Sequence, residues 1–215
     1  MAIVATEPVP WEMWRKLGLF TALWLTWRDS IFRPIRFFRA MPPRGGFGPA
    51  LGYTVVITAI GFFFSLYWSM VEGVIAGASE GSVPLALAKS LVMLLFGLAF
   101  MIPLYVGLIF AMVAVVHVGF LVVGAGRRGY EATFRAIAYA SGPAAFAIFP
   151  FFGPYLSTVW GMVLVYIAVR EAQRTTNGRA TLGFLVPLFA FLMFVIFLGF
   201  LFQLLIRSVD LGGAV

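Results

Sequence analysis

The chain contains no cysteine, which excludes disulfides, thiolate nucleophiles and cysteine-ligated metals. Its one histidine is His117, too few for a multi-histidine metal cluster. Charge is scarce as well. Asp, Glu, Lys and Arg make up 11% of residues and hydrophobic types 62%, whereas soluble domains sit near a quarter and a half. The mean hydropathy is +1.02. Such a chain reads as all-α, a polytopic integral membrane protein with one helical domain. The start "MAIVATEPVP" has no basic stretch followed by an apolar core, so no cleaved signal peptide is expected.

What is present is a series of long apolar runs. Five spans are expected, at about 51–76, 85–124, 131–149, 155–169 and 181–206. Each is long enough, or nearly so, for a hydrocarbon core of ~30 Å. The second run would reach about 60 Å as one helix. It reads as two spans hinged at Pro103 or as one long span, and charge decides between them. With five spans and a cytoplasmic N-terminus, 13 of the 15 basic residues fall inside, with Lys89 and Arg207 the exceptions. Splitting the run would place Arg127 and Arg128 outside, against the positive-inside rule. The run therefore crosses once, kinked at Pro103, with its surplus near 85–98 tilted or lying along the outer interface. The expected layout is a flexible segment 1–10, interfacial amphipathic helices and a linker over 11–49, a five-helix transmembrane domain over 50–207 and a short exterior tail, 208–215. The formal charge of +7 is then mostly an orientation signal, and no nucleic-acid partner is expected.

The segment before the first span is too charged to cross. At helical spacing Glu12, Arg15, Lys16, Thr26 and Asp29 share a sector, while Met13, Trp14, Leu17, Phe20, Trp24 and Trp27 occupy the rest, with Leu19, Leu23 and Arg28 breaking the pattern. This predicts an interfacial helix with aromatic anchors. A second piece interleaves Arg33, Arg36 and Arg39 with Phe32, Phe37 and Phe38. Each such cation near an anionic leaflet is worth ~1 kcal/mol. Two readings stand: general anchorage to a bilayer with anionic inner-leaflet lipids, or a docking face for a cytosolic or membrane partner or one specific lipid.

Breakers cluster in "YASGPAAFAIFPFFGPYLSTVW", Tyr139 to Trp160. Pro150, Gly153 and Pro154 suit a short turn between the third and fourth spans. Ser141, Gly142 and Pro143 lie in mid-span, where Pro143 removes a backbone donor that lipid cannot replace. The freed carbonyl needs a neighbouring helix, a serine hydroxyl or water. Surrounding alanines let another helix approach closely. A packing kink and a moving hinge that lines a site both fit. Pro187 is a further proline inside the fifth span.

Ionisable groups inside spans are candidates for function by default. Glu72 and Lys89 could pair across the outer loop. Glu131 and Arg135 have the spacing of a helix pair. His117 reads either as an interhelical hydrogen-bonding residue, neutral beside a cation, or as a proton or ligand site shared with Arg135 and Tyr139. No catalytic, cofactor or metal residue is expected. "YASG" is similar to the serine motif of rhomboid proteases, but Tyr139 stands where glycine is needed and the histidine precedes the serine.

The stretch from Thr133 to Ala180 resembles the Yip family of Ypt/Rab-interacting membrane proteins, in its prokaryotic branch. The likeness lies in Tyr139 four residues before Pro143, the turn from Pro150 to Gly153, an aromatic fourth span, and Glu171, Thr175 and Ala180 in the following loop. "PWEMW", "FRPIRFFRAMPP" and "VVHVGFLVVGAGRRGYEATFR" extend it upstream. The resemblance implies five spans, a cytoplasmic N-terminus and an exterior C-terminus. Eukaryotic members are associated with Rab GTPases and membrane shaping. This chain has only Phe47-Gly48-Pro49 where they carry Asp-Leu-Tyr-Gly-Pro, and Ala138 where a glycine precedes the tyrosine, so a Rab-type GTPase partner is not expected. The functional expectation is a non-enzymatic, membrane-organising or trafficking-type adaptor in the cytoplasmic membrane of a prokaryote. A small transporter, channel or lipid-moving protein that uses the kinked third span is the alternative, and an accessory subunit of a larger membrane complex is another. A homo-oligomer fits any of these.

Overall fold

A computed structural model describes residues 6–81 and 83–212. A short 3-10 turn, Pro10–Met13, leads into α1 (Trp14–Leu17), α2 (Leu19–Phe32) and α3 (Pro34–Ala40). The long helices α4 (Phe47–Glu80) and α5 (Val83–Val122) follow. Then come α6 (Tyr130–Tyr139), a 3-10 segment Gly142–Ile148, α7 (Gly153–Ala172) and α8 (Asn177–Gly212).

Local chemistry sets these boundaries. Proline disfavours helical backbone in the residue before it, and Arg33, ahead of Pro34, leaves the helical region at φ −134° and ψ 47°. That splits α2 from α3. Helix α5 runs unbroken through Pro103 and α8 through Pro187. The 85–124 run is thus one element, without a turn at "MIPLYV". The helix of the third run stops at Tyr139, and tighter i to i+3 bonding follows, Ala144 N donating to the Ser141 carbonyl at 2.9 Å.

Helices α4 and α5 form a long antiparallel hairpin, and α8 lies along the second half of α5. Helix α6, its 3-10 extension and α7 form a second hairpin packed on α4. The backbones come close where side chains vanish. A Cβ on Gly119 would overlap the Gly183 carbonyl, and one on Gly61 would overlap the Ala144 carbonyl. Small residues permit such contacts between apolar helices. Phe38, Met41, Tyr53 and Leu164 are buried with Phe134 of α6 in one core cluster.

Among the described residues three helices are long and apolar enough to cross a membrane: Phe47–Ala78 of α4, Pro103–Val122 of α5 and Asn177–Gln203 of α8. Helix α7, with 20 residues, is about 30 Å long. Helix α6 has 10 residues and reaches only about 15 Å. Its 3-10 extension of 7 residues adds about 14 Å.

The N-terminal segment is a folded layer. Glu7 N donates to the Ala40 carbonyl at 2.9 Å, and Val9 is buried, so part of the stretch expected as flexible is held. Helix α3 packs on α7, and α2 on α6 and its 3-10 extension. The buried side of α2 is Ala22, Thr26, Ser30 and Ile31, while Phe20, Trp24 and Phe32 are exposed. Thr26, expected in the polar sector, faces protein and accepts a 2.8 Å hydrogen bond from Trp11 N. The aromatic side points outward. Of the expected exterior tail, residues 208–212 continue α8, and 213–215 lie outside the described residues.

Candidate functional site

Helix α6 is amphipathic in an unusual setting, since residues Ala132 through Tyr139 are all buried. Its polar side chains therefore need partners inside the protein. On one face Arg135 and Tyr139 converge on a single carboxylate oxygen. Arg135 Nη2 donates to Glu12 Oε1 at 2.6 Å, and the Tyr139 hydroxyl donates to the same oxygen at 2.8 Å. Arg135 is 0% exposed. Its Nε donates to the Pro42 carbonyl at 3.2 Å and its Nη1 to the Gly46 carbonyl at 3.4 Å. A buried ion pair is helped when its remaining donors are also met, and these carbonyls engage the other two guanidinium nitrogens.

Glycine makes room for the guanidinium, because a Cβ on Gly45 would overlap Arg135 Nη1. Gly46 follows at φ +82°, a conformation that suits glycine. The turn aims two successive N–H groups at Glu131, whose Oε1 accepts from Gly45 N and Gly46 N at 2.7 Å each. Glu131 and Arg135 thus do not pair with each other. Each reaches across to the N-terminal layer or its linker instead.

The other face of α6 carries Thr133, about 200° around the helix from Arg135. Gln173 Nε2 donates to Thr133 Oγ1 at 2.8 Å and to the Gly129 carbonyl at 2.9 Å, and Gln173 Oε1 accepts from Arg128 N at 2.8 Å. His117 Nδ1 lies 2.9 Å from Thr133 Oγ1. The threonine hydroxyl carries one hydrogen and two lone pairs, so it accepts from Gln173 and shares this bond with His117 in either tautomer. His117 therefore belongs to a network with Thr133 and Gln173. Arg135 and Tyr139 are together, on the opposite side.

A third cluster closes the end of α7. Glu171 Oε2 accepts from Arg39 Nε at 2.7 Å, and Arg170 Nη1 donates to Asn177 Oδ1 at 2.6 Å. Burial pushes the Glu171 carboxyl up, but hydrogen bonds and charge from Arg39 and Arg170 outweigh this and hold it below the usual carboxylate range.

The breaker region is bound in place from three helices. Trp27 Nε1 on α2 donates to the Gly142 carbonyl at 2.9 Å, Ser157 on α7 donates to the Pro143 carbonyl, and Trp68 Nε1 on α4 donates to the Ile148 carbonyl at 3.2 Å. The Ser141 hydroxyl turns back to the Ala138 carbonyl at 2.8 Å. The turn that follows Pro150 passes through Phe151 at φ +60°, and Gly153 and Pro154 open α7.

Of the residues expected at the membrane face, Trp27 is committed to Gly142 and Arg39 to Glu171. Trp24, Arg33 and Arg36 are exposed, and no ion pair holds either arginine among the described residues. Glu72 and Lys89 are exposed, and no ion pair joins them. Among the described residues no group of three or more His, Asp or Glu converges on one point. Glu12, Thr133 and Gln173 join the site with no motif to mark them, and Glu171 carries only its place in the family likeness. Glu12 left one trace in the sequence, an acid that shares the polar sector with Asp29 in a mostly basic segment.

A buried polar hub that clamps an N-terminal layer onto long, outwardly apolar helices defines a class, the multi-pass α-helical membrane protein. The comparison with families sharpens this: the model of the Yip1 domain matches residues 28–199. The chain belongs to the Yip1 domain family of trafficking-type membrane proteins. Searches of curated proteins and of solved structures give no match.

Proposed function

We propose that the chain is a non-enzymatic adaptor or scaffold of the prokaryotic Yip branch. It organises the cytoplasmic membrane, crosses it five times, and has its N-terminus inside and its C-terminus outside. The positive-inside count supports this orientation, and so does the unbroken helix Val83–Val122. A C-terminal tag is expected to be labelled only from outside. Labelling from the cytoplasm overturns the odd number of crossings.

One observation carries the adaptor reading. The N-terminal layer is docked through Trp11, Glu12 and Trp27, so that Trp24, Phe32, Arg33 and Arg36 are presented outward on a fixed frame. A frame held by a buried ion pair presents its surface with little ordering cost on binding. The same docking leaves the α6 polar groups filled by the protein's own residues, which favours a holding role over a solute path. The test is mild-detergent purification at native expression, with proteins and lipids in the eluate quantified. A stoichiometric protein partner is expected, and Arg33→Ala with Arg36→Ala is expected to release it. An eluate without such a partner, beside a flux through reconstituted vesicles that Pro143→Ala abolishes, would replace the adaptor with a transporter.

A further inference from the structure

We propose that the cleft between the N-terminal segment and the α2–α3 junction binds the phosphodiester group of an anionic glycerophospholipid, with Arg33 and Arg36 as its ligands. The cleft has a volume of about 290 Å³, room for ~10 waters at their liquid volume and so for a phosphate with its first ester carbons. Val9, Phe37 and Met41 line its apolar part, and Glu7, Arg33 and Arg36 are among its polar lining.

Its charges do not cancel. Arg28 and Asp29, also in the lining, satisfy each other at 2.8 Å. That leaves Arg33 and Arg36, without ion pairs among the described residues, against the single carboxylate of Glu7. One positive charge remains in excess, the complement of one phosphodiester anion. A zwitterionic headgroup would leave that excess unmatched. Guanidinium forks suit phosphate oxygens better than ammonium groups do.

The backbone fixes the two rims. The break at Arg33–Pro34 places Arg33 at the junction, Arg36 follows in the first turn of α3, and both line the cleft. The Glu7 N to Ala40 O bond of 2.9 Å holds the opposite rim. Arg39, the next cation in the series, is taken by Glu171 and is not part of the site. Phe32 is 67% exposed and Ile35 45%. These apolar side chains flank the two arginines and supply a surface for acyl chains, which a soluble phosphate would not use.

The inference refines the outward face of the proposed adaptor, resting on that reading only for the leaflet that supplies the lipid. Its test is independent of any protein partner. The full-length protein in a non-ionic detergent is titrated with short-chain phosphatidylglycerol, phosphatidylcholine and free sn-glycerol phosphate, with native mass spectrometry as the readout. Phosphatidylglycerol is expected to bind once per chain and about tenfold more tightly than phosphatidylcholine, the scale of one charge-assisted hydrogen bond. Arg33→Gln with Arg36→Gln is expected to weaken it by about tenfold or more. Arg15→Gln with Lys16→Gln removes the same charge from an exposed site and should change it by less than about threefold. Glu7→Gln should strengthen binding. Equal losses in the two double variants would mean general electrostatic attraction and overturn the site, as would no saturable binding in the wild type. Competition by glycerol phosphate at equal affinity would reassign the cleft to a soluble phosphate. Both arginines are exposed, and thermal melts of the variants check that folding is intact.

Discussion

Helices α6 and α8 invert each other. Helix α6 is short, carries Glu131, Thr133, Arg135 and Tyr139, and is buried along eight of its ten residues. Helix α8 has 36 residues, and none of its most apolar window is buried. In water the burial would be reversed. In lipid the polar groups must be satisfied inside the protein while the apolar ones face the solvent. Specific structure therefore concentrates around α6, where hydrogen bonds and charges meet the N-terminal layer, α4 and α7. Helix α8 is held along α5, where Gly119 meets Gly183, and near its start by Tyr166 and Arg170 of α7.

The comparison breaks most visibly at Arg135. Arg135→Ala leaves Glu12 in a largely buried site without its cation, and should destabilise the protein by about 3–5 kcal/mol. Thermal unfolding in detergent reads this. A double-mutant cycle with Glu12→Ala should show strong coupling, and additive losses would mean the pair does not clamp the layer. The next effect belongs to α8. A side chain at Gly119 must push the α8 backbone away, so Gly119→Val should cost about 1–3 kcal/mol and loosen α8 alone. Retained protease resistance in α8 would show that lipid, not this contact, sets its position.

Smaller effects sharpen the contrast. Trp27→Phe keeps the ring but removes the donor to the Gly142 carbonyl, an expected loss of about 0.5–1.5 kcal/mol. Glu171 has a depressed pKa, so its contribution is present above the ordinary carboxylate range and fades as pH falls through the lowered value. With Arg39 half exposed, solvent screening limits that contribution to ~1 kcal/mol or less. Glu171→Gln should flatten the acid side of the stability profile, and an unchanged profile would rule out this pair as its source. Least affected is the open face of α8, where Leu188→Val should stay within about 0.5 kcal/mol.

Much of this was legible in the residues. The all-helical class, the continuity of the run through Pro103 and the hairpin at Pro150 to Pro154 followed from composition, charge and breakers. The need for side-chain donors around the break after Tyr139 followed from proline chemistry. Which donors would come did not, because Trp27 and Gly142 are 115 positions apart. Trp27 read as a lipid anchor because tryptophan at an interface and tryptophan capping a carbonyl look alike in sequence. The spacing of Glu131 and Arg135 likewise allowed a local pair that the fold did not use, since burying that face offered each a partner from the N-terminal segment.

The sequence by itself determined that the chain belongs in lipid, that it is helical and where its helices break. These outcomes rest on local terms: transfer of side chains between solvents, backbone donors and proline geometry. Only the tertiary structure decided which side of the N-terminal layer docks, that Glu12 meets Arg135, and that His117 meets Thr133 rather than Arg135. Those pairings depend on which face of α6 each neighbouring helix reaches, and helix spacing along one chain carries no record of the helix across from it.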